Sequence, residues 1–142
     1  MRNDKECAAL ILAAGEGTRM KSTLAKVLHP VCGVSMIRRV LAAVRAVSPV
    51  RVVMVVGHQA DAVRAELAGE RVEFVLQAQR LGTGHAALTA KPFFDGFEGT
   101  IVVLNGDTPL LRPDTLERFI SFHRTERASA TVLSAEIDDP AG

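Results

Sequence analysis

Cys7-Ala8-Ala9-Leu10-Ile11-Leu12-Ala13-Ala14-Gly15-Glu16-Gly17-Thr18-Arg19-Met20 is the stretch whose reading decides the fold. Its first half is an unbroken apolar run that reads as a buried strand over 7–13. Its second half is a glycine-rich turn leaving the carboxyl end of that strand. Such a turn puts bare backbone N–H groups where an anionic phosphate can approach. Two common phosphate patterns nearly fit. The dinucleotide pattern G-x-G-x-x-G accepts Gly15 and Gly17, and the P-loop pattern G-x-x-x-x-G-K-[ST] accepts Gly15, Lys21 and Ser22. Both need glycine at position 20, which is Met20. A methionine side chain opposes the left-handed turn and the close backbone approach that glycine permits. The dinucleotide pattern fails again because its ribose-binding acid, due about twenty residues on, is missing. Arg38 and Arg39 stand there instead. What remains is a phosphate loop with its own Arg19, followed by Lys26, a combination suited to a triphosphate. The plainer alternative is a tight surface turn flanked by ordinary solvated cations. Lys26 is the stronger phosphate candidate, because lysine acts as a flexible point charge on phosphate oxygens. Lys21 reads as solvated.

Outward from this strand, apolar runs and helical periodicity alternate. Further strands are expected over 51–56, 72–77, 100–104 and 130–135, and helices over 36–47, 61–68, 85–91 and 113–127. Ser35 is placed to cap the first helix, whose apolar face is Met36, Ile37, Val40, Leu41, Val44 and Val47. The aliphatic run over 51–56 suits a strand covered on both faces. Gly69 stops the second helix, Pro92 ends the third, and Pro113 opens the fourth with Asp114 in its first turn. Alternating strands and helices imply right-handed crossovers and a doubly wound, mostly parallel α/β sheet of Rossmann-like type, with helices on both faces. The sequence stops after the fifth expected strand.

Ligands of such sheets bind beyond the carboxyl ends of the strands. The 15–19 segment follows the first strand, Gln77, Gly82 and Thr83 follow the third, and Asp107 follows the fourth. Gln77 offers both a donor and an acceptor, which matches the imide edge of uracil; a polar strand terminus is the alternative. Gly82 lets backbone press against a base, and Thr83 can hydrogen-bond nearby. Asp107 reads either as a turn cap or as a ligand for Mg²⁺, which commonly takes one or two carboxylates plus substrate phosphates. His29, His58, His85 and His123 are scattered without ligand spacing and form no metal cluster; His123 reads as structural, and neither His58 nor His85 is given a chemical role.

Composition removes other classes. The 142 residues are 48% hydrophobic and 23% charged, which suits one ordinary globular domain over 1–142. A formal charge of +1 without a long basic run argues against a nucleic-acid partner. Cys7 and Cys32 have no metal-type spacing, and Cys7 reads as a small buried thiol. The apolar run near the start is too short for a span and its flank carries acids as well as bases, so no membrane association and a cytoplasmic location are expected.

The segment 12–20 with Lys26 resembles the sugar-1-phosphate nucleotidyltransferases, and Lys26-Val27-Leu28-His29-Pro30 narrows the resemblance to the bacterial N-acetylglucosamine-1-phosphate uridylyltransferases. Val56-Gly57-His58, the block from Leu76 through Arg80 and Leu81-Gly82-Thr83-Gly84-His85 to Ala86, and Asn105-Gly106-Asp107-Thr108-Pro109-Leu110 agree with it. The resemblance runs from about Ala8 to the last residue, and the block ending at Ala86 makes it specific. It implies uridylyl transfer from UTP to N-acetylglucosamine 1-phosphate, giving UDP-N-acetylglucosamine and pyrophosphate for cell-wall peptidoglycan precursors. It also implies a Mg²⁺ cofactor. Arg19 is assigned to the leaving phosphates and Lys26 to a phosphate near the reacting centre, both as catalytic groups. The nucleotide is held by Leu12, Ala13, Ala14, Gly15, Gly17 and Thr18, its uracil is read by Gln77, Gly82 and Thr83, and Asn105, Gly106 and the metal ligand Asp107 line the same edge.

Two departures from the family pattern stand out. Ala25 occupies the place of a usual proline before the lysine, which loosens the loop modestly. Beyond the turn signal at 138–142 the family continues into its sugar-binding half, which supplies a second metal ligand. Many members then carry a β-helical acetyltransferase domain, through which the full form is expected to be homo-oligomeric. The chain is therefore expected to be the nucleotide-binding half of such an enzyme. A nucleotide-binding module without turnover, and a transferase for another base or sugar, stay open as alternatives.

Overall fold

A computed structural model describes residues 6–136 apart from Glu16, His58 and Arg80, with Thr18 described by its backbone alone. The expected turn at 138–142 lies outside the described residues, as does any placement of His58. In chain order the elements are β1 (Cys7–Ala13), β2 (Pro30–Val31), β3 (Val34–Ser35), α1 (Met36–Ala46), β4 (Arg51–Val56), α2 (Ala60–Glu66), β5 (Glu73–Leu76), α3 (Thr83–Ala90), β6 (Thr100–Asn105) and α4 (Pro113–Thr125). Short 3-10 turns lie at Thr18–Met20, Lys26–Leu28 and Lys91–Phe94. The main sheet has the order β5-β4-β1-β6 and every pairing in it is parallel. The chain winds outward from β1 through β4 to β5, then returns to place β6 on the other side of β1. The strand order therefore reverses at β1, the position where doubly wound sheets open a ligand crevice.

The side-chain period of two divides β1 between two cores. Cys7, Ala9, Ile11 and Ala13 join the larger one with Met54 and Val56 of β4, while Leu10 joins the smaller one with Val53 and Val55. The larger core is closed by α1, α2 and α4 through Ile37, Val40, Val44, Val63, Leu116 and Ile120. The opposite face is covered by α3, through Ala86 and Ala90, and by Phe93 and Phe94 of the turn that follows it. Each Val or Leu fully buried this way stabilises the fold by about 1.5–3 kcal/mol relative to exposure. In α1 the buried residues Ile37, Val40, Leu41 and Val44 follow the helical period. Ser35 Oγ accepts from Arg38 N at 3.4 Å, so the cap stands where the sequence puts it. The same hydroxyl donates to Glu66 Oε1 at 2.7 Å, and Arg38 Nε donates to that oxygen at 2.7 Å, tying α1 to the end of α2.

Two expectations need correcting, and a third point is an element outside them. No strand forms over 130–135: the segment is irregular, mostly exposed, and tethered to α4 by a 2.8 Å hydrogen bond between Thr131 Oγ1 and His123 Nδ1. Alternating residues give strand propensity, but a strand exists only once a neighbour takes its hydrogen bonds. Among the described residues β6 is hydrogen-bonded as a strand only to β1, and Ile101 and Val103 on its α3-side face are 40% and 51% exposed. Second, α3 begins at Thr83 instead of His85, because Gly82 at φ 90° turns the chain directly into the helix. Third, the hairpin of β2 and β3 was not anticipated. Its two-residue turn, Cys32-Gly33, has φ 49° and 77°, the left-handed pair that a tight hairpin requires. Among the described residues no helix is long and apolar enough to cross a membrane.

Candidate active site

A cavity of about 370 Å³ opens at the carboxyl edge of the sheet, lined by Leu12, Ala13, Ala14, Gly15, Lys26, Val27, Gln77, Gly82, Thr83, Ala86, Asn105 and Asp107. Parallel pairing is what brings these distant segments together. Leu12 lies in register with Asn105, and Gly106 N donates to Leu12 O at 2.8 Å, locking the loop after β6 against the end of β1. On the other side, Gln77 N donates to Val56 O at 2.8 Å, carrying the pairing of β5 with β4 one residue past the strand.

Two glycines place the loop after β1, for different reasons. Gly17 has φ 62°, and a Cβ there would stand 2.5 Å from Lys26 Cβ. The loop and the lysine stem can therefore touch only because position 17 has no side chain. Gly57 faces the loop from just beyond the end of β4, where a Cβ would stand 2.7 Å from the Ala14 carbonyl oxygen. Gly106 lies beneath the Lys26–Leu28 turn, where a Cβ would come within 3.1 Å of Val27 Cγ1 and Ile37 Cδ1. Ala25, just before the lysine, adopts φ −54° and ψ 137°, the conformation a proline would impose.

Lys26 Nζ and Asp107 Oδ2 are 2.5 Å apart, with side chains 33% and 31% exposed. The two residues expected to serve phosphate and metal are thus paired with each other. The ammonium has three donors, so contact with the carboxylate leaves it two for other oxygens. The carboxylate likewise keeps Oδ1.

At the far wall the Gln77 side chain is 5% exposed. Its Nε2 donates to Gly82 O at 3.2 Å and lies 2.9 Å from His85 Nδ1. Both amide protons therefore have partners, and among the described residues no donor reaches Oε1.

The cavity unites ten of the residues singled out in the sequence: Leu12, Ala13, Ala14, Gly15, Lys26, Gln77, Gly82, Thr83, Asn105 and Asp107. It does not include Gly17, Arg19 or Gly106. Arg19 is exposed, in the 3-10 turn beyond the loop, so its assignment to phosphate rests on the motif and not on cavity geometry. Gly17 and Gly106 act from behind, by leaving room for the segment that carries Lys26. The Thr18 side chain lies outside the described structure. Lys21 is exposed, as expected of a solvated cation. Sequence reasoning missed Val27 and Ala86, apolar wall residues, and His85, the partner of Gln77. The i, i+8 separation of Gln77 and His85 crosses a loop and a helix start, so no periodic signal links them.

Away from the cavity, Glu66 and Cys7 are among the titratable groups displaced from their ordinary values. The Ser35 hydroxyl and then the Arg38 guanidinium hold the Glu66 carboxyl below its ordinary value of 4.5, against the opposing effect of burial. Burial pushes the Cys7 thiol up, consistent with its place in the core.

Residues 9–140 match the family described as the MobA-like NTP transferase domain. Proteins named bifunctional protein GlmU are similar over nearly the whole chain. The one from Pelobacter propionicus is 53% identical over 95% of this chain and 30% of its own length, and the one from Halalkalibacterium halodurans is 52% identical over 94% and 29%. The chain thus spans about 30% of the length of these relatives. Among solved structures, Rv0371c from Mycobacterium tuberculosis superposes with a TM-score of 0.74 at 25% identity, covering 84% of this chain and 61% of that one. The same protein has a structure described as a complex with manganese, at a TM-score of 0.70, 25% identity and coverage of 84% and 60%. A nucleotidyl transferase from a Methanothermobacter species matches with a TM-score of 0.65 at 26% identity, covering 82% of this chain and 57% of that one.

Proposed function

This chain belongs to the MobA-like NTP transferase domain family, and from that premise we propose that it takes part in nucleotidyl transfer, namely uridylyl transfer to N-acetylglucosamine 1-phosphate. The observation that carries the proposal is the single cavity on which the phosphate loop, the Lys26–Asp107 pair and the Gln77–Gly82–Thr83 wall converge. The likeness to GlmU proteins at about half identity supports it.

The chemistry asks little of a base. A phosphate oxygen of the sugar phosphate attacks the α-phosphorus of UTP, the bond from that phosphorus to the β-bridging oxygen breaks, and pyrophosphate leaves with the electron pair. Because the nucleophile is already an anion, no proton need be removed. The difficulty is holding two polyanions together while charge grows on the leaving group, so positioning and electrostatic stabilisation dominate. The backbone from Leu12 to Gly15 follows the triphosphate. Lys26 reaches a phosphate near the reacting centre with the donors that Asp107 leaves it. Arg19, exposed in the turn beyond the loop, is assigned by the motif to the departing β- and γ-phosphates.

Asp107 supplies a hard oxygen donor, and no group of three His, Cys, Asp or Glu converges among the described residues. This donor set fits a cation shared with substrate phosphates, as magnesium prefers, better than one caged by protein alone. The structure of Rv0371C described as a complex with manganese supports the use of a divalent ion. When bound, the ion neutralises phosphate charge.

The test is pyrophosphate release by the protein in its full natural length, across UTP, CTP, dTTP and ATP paired with several sugar 1-phosphates. UTP with N-acetylglucosamine 1-phosphate should be the fastest pair. Faster release with another pair would replace the substrate assignment, and nucleotide binding without release from any pair would make the chain a binding module.

A further inference from the structure

We propose that His85 is a positioning residue for nucleobase selection: with the Gly82 carbonyl it holds the Gln77 amide in one orientation, leaving only the acceptor Oε1 for the base. The inference rests on the reading of this cavity as a nucleotide site and adds to it a residue and a direction of recognition.

A glutamine is by itself ambiguous toward a base. Its amide can turn over and present either a donor or an acceptor, so Gln77 alone accommodates the N3–H of uracil or the bare N3 of cytosine. The surroundings remove that freedom. Gly82 O can only accept, so the group 3.2 Å from it must be Nε2. The opposite orientation would set two acceptors against each other within a side chain that is 5% exposed. Gly82 offers that carbonyl from φ 90°, a backbone conformation open to glycine and strained for other residues.

The second amide proton points to His85 Nδ1 at 2.9 Å. With Nε2 donating, Nδ1 must be the accepting nitrogen, and the ring carries its proton on Nε2. His85 sits in the first turn of α3, half-buried, and its carbonyl accepts from Thr89 Oγ1 at 2.8 Å within the helix. The acceptor is thus fixed to a packed element while Gln77 rides on the end of β5. One partner alone would let the amide rock; two partners at different angles define its plane. Oε1 is then the amide atom of this cavity-lining residue without a partner among the described residues, and it demands a donor from the ligand. Uracil meets that demand with N3–H, whereas cytosine offers a lone pair at the same place.

The test compares wild type, His85→Leu and His85→Asn by calorimetric titration with UTP, CTP and inorganic tripolyphosphate. Asparagine can present an acceptor near the place of Nδ1; leucine cannot. Wild type should favour UTP over CTP, His85→Leu should lower that UTP:CTP affinity ratio on the order of tenfold, and His85→Asn should restore most of it. Tripolyphosphate affinity should be the same in all three. An unchanged ratio in His85→Leu, or an asparagine variant no better than leucine, overturns the positioning role while leaving the nucleotide site intact. Loss of tripolyphosphate binding in His85→Leu would assign the histidine to holding the fold and overturn it too. A wild type that binds UTP and CTP equally removes the base-reading wall itself, and this inference with it.

Discussion

Replacing Gly17 by alanine tests whether the loop after β1 and Lys26 form one mechanical unit. Two costs arise at this position. The residue stands at φ 62°, where a Cβ raises the backbone energy by about 1 kcal/mol. The new Cβ also starts 2.5 Å from Lys26 Cβ, with Cγ and Cδ at 3.1 and 3.3 Å, so it meets the root of the lysine and not its flexible tip. Overpacking of this kind costs roughly 1–3 kcal/mol unless the surroundings move. The combined penalty is on the order of 2 kcal/mol or more, and it has two ways to appear. If the loop stays in place, folding stability falls by that amount. If the loop relaxes by moving Lys26 away from the cavity, stability is kept and triphosphate affinity falls by roughly thirtyfold, the same free energy expressed in binding. Urea unfolding and calorimetric titration with UTP and Mg²⁺ on the same preparations measure both. Gly15→Ala is the control. No atom lies within 4 Å of its added Cβ, so stability should change by less than about 0.5 kcal/mol. Binding alone should suffer there, where phosphate approaches bare backbone. A Gly17→Ala protein with stability and affinity both unchanged would refute the coupling of loop and lysine.

Other expectations follow from single groups. In the protein at its natural length Arg19→Ala should, on its proposed role at the leaving phosphates, lower the maximal rate by roughly a hundredfold while weakening UTP binding less, because charge on a leaving group grows in the transition state; an equal loss in both would return Arg19 to ground-state binding. Asp107→Asn should raise the Mg²⁺ concentration needed for half-maximal turnover, since a neutral amide is a poorer ligand for a hard cation; an unchanged requirement would remove Asp107 from the metal. Ala25→Pro should stabilise the protein by about 0.4–1 kcal/mol through the unfolded chain, because position 25 already has φ −54°; a lower melting temperature would show that the buried site has no room for the ring. Glu66 has a depressed carboxyl pKa in the folded state, so its stabilising contribution is present above 4.5 and is lost as pH falls through the folded value. Glu66→Gln should therefore flatten part of the acid limb of stability against pH, and an identical acid limb would discount the Ser35–Arg38–Glu66 link. With a thiol reagent Cys32, which is exposed, should react at once, while Cys7, buried and with its thiolate disfavoured, should wait for unfolding.

Sequence alone determined the parallel α/β class and pointed to many of the residues that line the cavity, because both rest on local signals. Continuous aliphatic runs mark β1 and β4 as strands buried on two faces, and the helical period of Ile37, Val40, Leu41 and Val44 needs no partner to be read. Gly15 and Asp107 follow apolar runs at their carboxyl ends, and parallel pairing then obliges them to meet at one edge of the sheet. What depends on a partner distant in sequence was decided only by tertiary structure. The 130–135 run has strand propensity but finds no ladder among the described residues, since a strand's hydrogen bonds belong to its neighbour as much as to itself. The Lys26–Asp107 ion pair joins residues 81 apart in sequence, and it forms because Gly17 and Gly106 leave space for the lysine segment. Gln77 was visible as a polar residue after a strand, but which of its amide atoms is free was not. That was settled by the carbonyl of Gly82 and the ring of His85, brought against it by a left-handed glycine and the first turn of α3. Periodicity and composition describe what a residue prefers near its own neighbours. Packing decides which donors and acceptors remain for a ligand, and that is a property of the folded chain.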